Sequence, residues 1–291
     1  MTVGRLSCLL ALAGSPGATA LAQTESARDE AVLSHYDLKA GAAWQAKLPR
    51  ALSEISGLAF TPDGSLLAHG DERAVVWRYD LARRRPVARF GLAERRGGGA
   101  MHGDFEDLVV VGKRIFLVTA GGEIYEGRAG EDGHTRLAVR RTGGLGRGCE
   151  AEGLTWDASS RALLVLCKTV RSRRWKDRIV ILAVSTDTWR YEPQPRLLVK
   201  QRDVERVTGK KRFRGSAMAR HPRTGTLILV AGPDRTYVEL SPEGAVLGGG
   251  RLDGDRHRQP EGVAVAPDLT LLISDEGSQG KATITAYAYR P

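Results

Sequence analysis

The chain has 291 residues, 42% hydrophobic and 27% charged, with 35 glycines, 12 prolines and only 6% aromatic residues. That composition excludes a disordered chain, a collagen and a polytopic membrane protein, and the length allows a large apolar core without staples. The formal charge of +10 comes mostly from arginines in segments between apolar runs (Arg83 to Arg85, Arg95 and Arg96, Arg171 to Arg174) with no interleaved aromatics, so a solvated surface and no nucleic-acid partner are expected.

Residues 1–22 are built like an export signal: Arg5, the apolar run Leu6 to Ala13, a breaker over 14–17 and an Ala20-Leu21-Ala22 cleavage site. The run is too short to span a bilayer, Cys8 lies too early for a lipoprotein cysteine, and no later segment reads as transmembrane. An uncleaved N-terminal helix is the competing reading. Cleavage after Ala22 leaves a flexible leader over 23–35 and one domain over 36–291, in the periplasm or outside the cell. Cys149 and Cys167 then remain in a compartment where disulfides persist. If 152–157 and 163–167 are the arms of a hairpin, antiparallel pairing brings the two sulfurs within bridging reach; two buried free thiols are the alternative.

From residue 55 onward one unit recurs five times: a short apolar strand opened by a polar pair, a turn, and a second apolar strand. The copies begin Ile55-Ser56-Gly57-Leu58, Phe105-Glu106-Asp107-Leu108, Ala151-Glu152-Gly153-Leu154, Gly215-Ser216-Ala217-Met218 and Pro260-Glu261-Gly262-Val263. Turn residues follow each first strand, as in Thr61-Pro62-Asp63-Gly64 and His221-Pro222-Arg223-Thr224-Gly225. The runs are too short and too punctuated by Gly and Pro for helices, so each unit is an antiparallel meander. Second positions are spaced 50, 46, 64 and 45 residues apart, which suits four-stranded propeller blades. An all-β, five-bladed propeller is expected. Too little chain follows Glu261 for a fourth strand, so the segment 36–44 is expected to pair with 283–289 and close the last blade. A linear β-solenoid is the competing architecture.

First strands of propeller blades line the central channel, so the second positions form a ring: Ser56, Glu106, Glu152, Ser216 and Glu261. Three carboxylates facing one narrow channel either take up protons or hold a cation. With oxygen donors only, Ca²⁺ is expected before Mg²⁺. The plainer reading is that each Glu caps its own strand or pairs with an Arg. A second set, Glu72, Glu123, Lys168, Asp234 and Glu276, falls at the ends of the second strands, where it either joins the metal site (Glu72, Glu276) or forms a surface salt-bridge network.

The ordered motifs Glu54-Ile55-Ser56-Gly57, Gly103-Asp104-Phe105-Glu106, Cys149-Glu150-Ala151-Glu152-Gly153 with Cys167-Lys168, Ser216-Ala217-Met218-Ala219-Arg220-His221-Pro222, and Gln259-Pro260-Glu261-Gly262 with Ser274-Asp275-Glu276-Gly277 resemble the SdiA-regulated family over residues 36 to 291. The resemblance implies a calcium-binding five-bladed propeller in an extracytoplasmic setting, distantly similar to NHL-repeat and lactonase-like propellers. Asp107 departs from the glycine usual at that position.

No Walker A loop, HExxH, G-x-S-x-G or zinc-type cysteine spacing occurs. Two functions stand side by side. One is a monomeric binding or scaffold module for an unidentified small molecule or envelope protein. The other is a metal-dependent hydrolase of the lactonase, esterase or phosphoesterase kind, for which Lys168, His69 and Glu276 are the candidate bases.

Overall fold

The computed structural model describes Met1, residues 31–277 and residues 280–291. The expected export signal and the leader up to residue 30 lie outside the described residues. Five antiparallel sheets form a five-bladed propeller. The inner strands are Ile55–Phe60, Phe105–Val111, Cys149–Asp157, Ala217–Arg220 and Pro260–Val265. Each packs beside the next and the fifth returns to the first. Second strands (Leu66–Gly70, Arg114–Thr119, Ala162–Val170, Leu227–Ala231, Leu271–Asp275) and third strands (Val75–Asp80, Ile124–Arg128, Arg178–Ser185, Thr236–Leu240, Thr283–Tyr287) follow outward in every blade. The second strands are apolar along nearly their whole length because both faces are covered by neighbouring blades, as in Leu227–Ala231, buried at all five positions.

Blade 5 closes as expected in kind, with a shifted register. The outer strand is Ala42–Lys47, with Ala42 opposite Tyr287 and Lys47 opposite Thr283, so it starts later than the expected 36–44. The reason is local: Asp37 Oδ1 accepts the Ala40 amide at 3.0 Å and turns the chain before the strand can begin. The leader expected to be flexible through residue 35 is also corrected in its last part. Val32–His35 is a 3₁₀ turn that buries Val32 and Leu33, with Tyr36, against the apolar layer of blades 4 and 5. Leu33 N–H reaches the buried Glu239 Oε2 at 2.9 Å. Burying two such aliphatic side chains contributes about 3–6 kcal/mol to holding this edge.

Outer strands are uneven. Arg85–Ala93 in blade 1 and Val246–Arg251 in blade 4 are complete, whereas blade 2 has only Val139–Arg140. Thr135–Leu137, just before it, pairs in parallel with Arg85–Ala93 and stitches blade 2 to blade 1. In blade 3 the outer edge is shared by Arg190–Tyr191 and Leu197–Lys200. A helix not expected from the sequence, Gln201–Thr208, follows; it buries Val204 and Thr208 and ends at Gly209 with φ +68°, a left-handed turn that glycine adopts without strain. Cys149 and Cys167 form the expected disulfide, with Cα atoms 5.5 Å apart. No helix among the described residues is long and apolar enough to cross a membrane.

Candidate functional site

Four of the five second positions are aimed at one end of the channel by a shared backbone device. In blades 1, 2, 3 and 5 the pairing of inner and second strands slips by one residue there. Ile55 faces Gly70 and Gly57 faces His69, Phe105 faces Thr119 and Asp107 faces Val118, Ala151 faces Cys167 and Gly153 faces Leu166, and Pro260 faces Asp275 and Gly262 faces Ser274. Ser56, Glu106, Glu152 and Glu261 are thus the extra residues of β-bulges, which kink the strand and re-aim the side chain. Blade 3 carries a second slip on the facing strand, where Glu150 pairs with Thr169 but Ala151 with Cys167, so Lys168 is bulged opposite the Glu150–Ala151 step, next to the bulged Glu152. Lys168 Nζ donates to Glu152 Oε1 at 2.9 Å, with the Glu152 side chain 3% and the Lys168 side chain 25% exposed.

The three glutamates act on one another. Burial pushes the Glu106 carboxyl strongly up, and Glu152 and Asp104 push it further. Burial also raises Glu152 against the pull of Lys168, and raises Glu261 to about 7 against the same ammonium. Lys168 itself is held protonated: burial opposes its charge, but Glu152, Glu261 and Glu106 outweigh that. One fixed cation therefore serves three carboxylates, which leaves the site under-neutralised. The flanking acids extend the field. Asp71 is raised by burial, with Glu72 and Asp104 adding to it; Glu276 is raised by burial and by Asp71 and Glu54; Glu54 is raised by Asp71 before anything else.

Glu276 reaches this field and accepts from Gln259 Nε2, while Glu72 lies exposed at its edge. Ser56 is buried with only a long 3.4 Å bond to Glu54 O. Ser216, in the blade without a bulge, spends its hydroxyl on the wall, donating to Pro260 O at 2.7 Å and accepting Gly232 N–H at 2.8 Å. Glu123 turns to Thr119, and Asp234 pairs with Arg214 at 3.4 Å, so these two belong to local bonds. His69 is fully buried, its imidazole held neutral by burial with the pKa lowered to about 4. His102 sits in a β-bridge to Arg73. Trp77, Trp156 and Trp175 pack against blade cores. Asp71 and Asp104, which were not among the expected site residues, are part of the acidic end; each lies one residue outside a strand end.

Asp107 takes a role the repeat does not foreshadow. Its position in the other blades holds Gly57, Gly153, Ala217 and Gly262, where inner strands approach closely: a Cβ on Gly57 would stand 2.7 Å from Asp107 Oδ1 and 2.5 Å from His69 Nε2. Asp107 fills the space its neighbours leave. Oδ1 accepts Leu108 N–H at 2.8 Å and Oδ2 accepts Leu154 N–H of blade 3 at 2.7 Å, and the backbone of Met218 in blade 4 also donates to it. This buried carboxyl joins three blades beneath the glutamates. Further along, the inner strands enclose a cavity of about 120 Å³ whose lining includes Leu58, Leu108, Leu154, Met218 and Val263 together with Thr155 and Arg220.

By donor chemistry the acidic end suits a hard cation: every donor is oxygen, the glutamates repel, and Asp71 Oδ1 is buried without a hydrogen-bond partner. As the side chains stand, no three His, Cys, Asp or Glu among the described residues are gathered around one metal position, and Lys168 holds Glu152. A metal ion would have to displace that ammonium.

No family model and no curated protein matches the sequence. Solved structures do match in chain path. A glucose dehydrogenase is 16% identical with a TM-score of 0.54, covering 83% of this chain and 98% of that one. Myxococcus xanthus glutaminyl cyclase is 14% identical with a TM-score of 0.53, covering 86% and 97%. The PQQ-bound aldose sugar dehydrogenase of Streptomyces coelicolor is 12% identical with a TM-score of 0.52, covering 86% and 99%. At such identities the likeness speaks for the propeller fold alone.

Proposed function

We propose that the protein is an exported calcium-binding propeller of the SdiA-regulated kind, acting as a binding or scaffold module in the periplasm or cell envelope. The observation that carries this reading is the bulged ring of Glu106, Glu152 and Glu261, drawn around a single ammonium and flanked by Asp71, Asp104 and Glu276. Glu106, Glu152 and Glu261 are the residues that would hold the ion, which when bound would take the place of Lys168 at Glu152 and offset the repulsion of the three carboxylates. The disulfide is compatible with export. Thermal unfolding in EDTA and in excess Ca²⁺ tests it. Calcium should raise the midpoint through preferential binding to the folded state, more at about pH 8 than at about pH 6, because Glu261 must lose its proton to serve. Glu261→Gln should remove most of the shift. A midpoint indifferent to calcium in the unaltered chain would refute the reading.

A second reading is a metal-dependent hydrolase with its site at the same end. It is favoured by Glu261, whose pKa of about 7 lets the carboxyl take and release a proton at neutral pH. Chelator-sensitive turnover of lactones, aryl esters or phosphoesters, lost in Glu261→Gln, would select it over the binding module.

A further inference from the structure

One of the arginine-rich segments, 171–174, is joined by the fold to a second basic stretch, while Arg83 to Arg85 and Arg95 and Arg96 lie elsewhere. Residues 171–178 and 200–214 hold twelve Lys and Arg against Asp177, Asp203 and Glu205, a net of +9 where the whole chain carries +10. Tertiary structure joins them: Arg178 and Lys200 are register partners on adjacent strands, and Gln201 N–H bonds Asp177 O at 3.1 Å. Between them lies an open depression of about 490 Å³ lined by Arg173, Arg174, Lys176, Arg178, Lys200 and Arg202, with Asp177 as its one acid. Among these lining residues only Arg202 makes an ion pair, with Asp203 at 3.7 Å. The loop that carries the first three is fixed. It leaves the strand end at Val170 with Arg171 N–H on Gly148 O, turns through Ser172 O to Trp175 N, and rests Trp175 on the core of blade 3. Like charges held together with only Asp177 and the Arg202–Asp203 pair to offset them cost free energy that an anion would recover.

We propose that this depression is a binding site for a soluble, multiply phosphorylated small molecule. Four guanidinium groups suit phosphate oxygens through paired N–H donors, and the volume exceeds what one phosphate fills. A duplex or single-stranded nucleic acid would call for exposed aromatics or a long basic groove, and Trp175 is turned to the core. A bilayer surface would call for apolar side chains to insert; Leu198, 43% exposed, is the sole large apolar residue exposed beyond residue 140 among those described.

The test uses inorganic triphosphate as probe, titrated calorimetrically into the folded chain in metal-free, low-salt buffer. The unaltered protein should bind it, with affinity falling steeply as salt rises from about 50 to about 200 mM. Arg173→Ala with Arg174→Ala, and separately Lys200→Ala with Arg202→Ala, should each weaken binding at least ~10-fold. These side chains are at the surface, so folding is not at stake, and circular dichroism confirms it. Arg95→Ala with Arg96→Ala removes equal charge elsewhere and should stay within about twofold, as long-range terms are screened. No binding by the unaltered chain, or equal losses in the control, overturns the proposal. So does binding of phosphatidylglycerol vesicles or of DNA at the same residues without binding of triphosphate.

Discussion

Replacing Asp107 by Gly restores the residue that three other blades carry at the same place, so the backbone tolerates it. Only the carboxyl is lost. That carboxyl satisfies the buried Leu108 and Leu154 amides at 2.8 and 2.7 Å. A buried donor left without a partner costs about 1–3 kcal/mol, so these two and the Met218 amide that also donates to the carboxyl cost about 3–9, less whatever entering water recovers. We expect a loss of about 3 kcal/mol at about pH 5, which for a domain of this size lowers the melting midpoint by about 6–12 °C. Burial raises the Asp107 pKa well above the usual carboxylate value. The sign follows: a raised folded pKa gives stability that is complete below the unfolded pKa and is lost as pH rises through the folded one. The gap between the unaltered protein and Asp107→Gly should therefore be wider at about pH 5 than at about pH 8, and Asp107→Asn, which cannot titrate, should lose that pH dependence. Urea unfolding followed by circular dichroism at both pH values measures it. A glycine variant within about 0.5 kcal/mol of the parent at both would show that Asp107 does not join the blades.

Three further outcomes are expected. Lys168→Met leaves Glu152 buried without its cation and should destabilise the metal-free protein by about 3 kcal/mol, read as a lower urea midpoint that Glu152→Gln in the same chain partly restores. Cys149→Ser with Cys167→Ser opens a loop with a sequence separation of 18 residues and should cost about 3 kcal/mol; an unchanged midpoint in reducing and oxidising buffer would count against it. His69, with its pKa lowered to about 4 from 6.5, contributes stability present above 6.5 and lost as pH falls toward 4. His69→Gln should flatten that acid loss by up to about 3 kcal/mol, seen as a smaller drop in midpoint across this window.

What the amino-acid order determined by itself is the repeat. Alternating apolar strands, turn residues at fixed offsets and a second-position Ser or Glu in five copies are local signals, carried by side-chain period and turn chemistry, and they suffice for five meanders, a closing N-terminal strand and the Cys149–Cys167 pair. The start of that closing strand at Ala42 was less legible, because a single Asx turn at Asp37 set it. The folded ring decided the rest. Whether Glu106, Glu152 and Glu261 face one another depends on one-residue slips in strand pairing, which no linear pattern reports. That Lys168 pairs with Glu152 depends on a facing slip in the partner strand, and that Asp107 spans three blades depends on how closely separate strands approach. Arg178 and Lys200 lie 22 positions apart in sequence and line one depression only because blade 3 pairs their strands edge to edge. Electrostatic energy depends on distance in space, so the sign and strength of each end of this molecule were settled by packing.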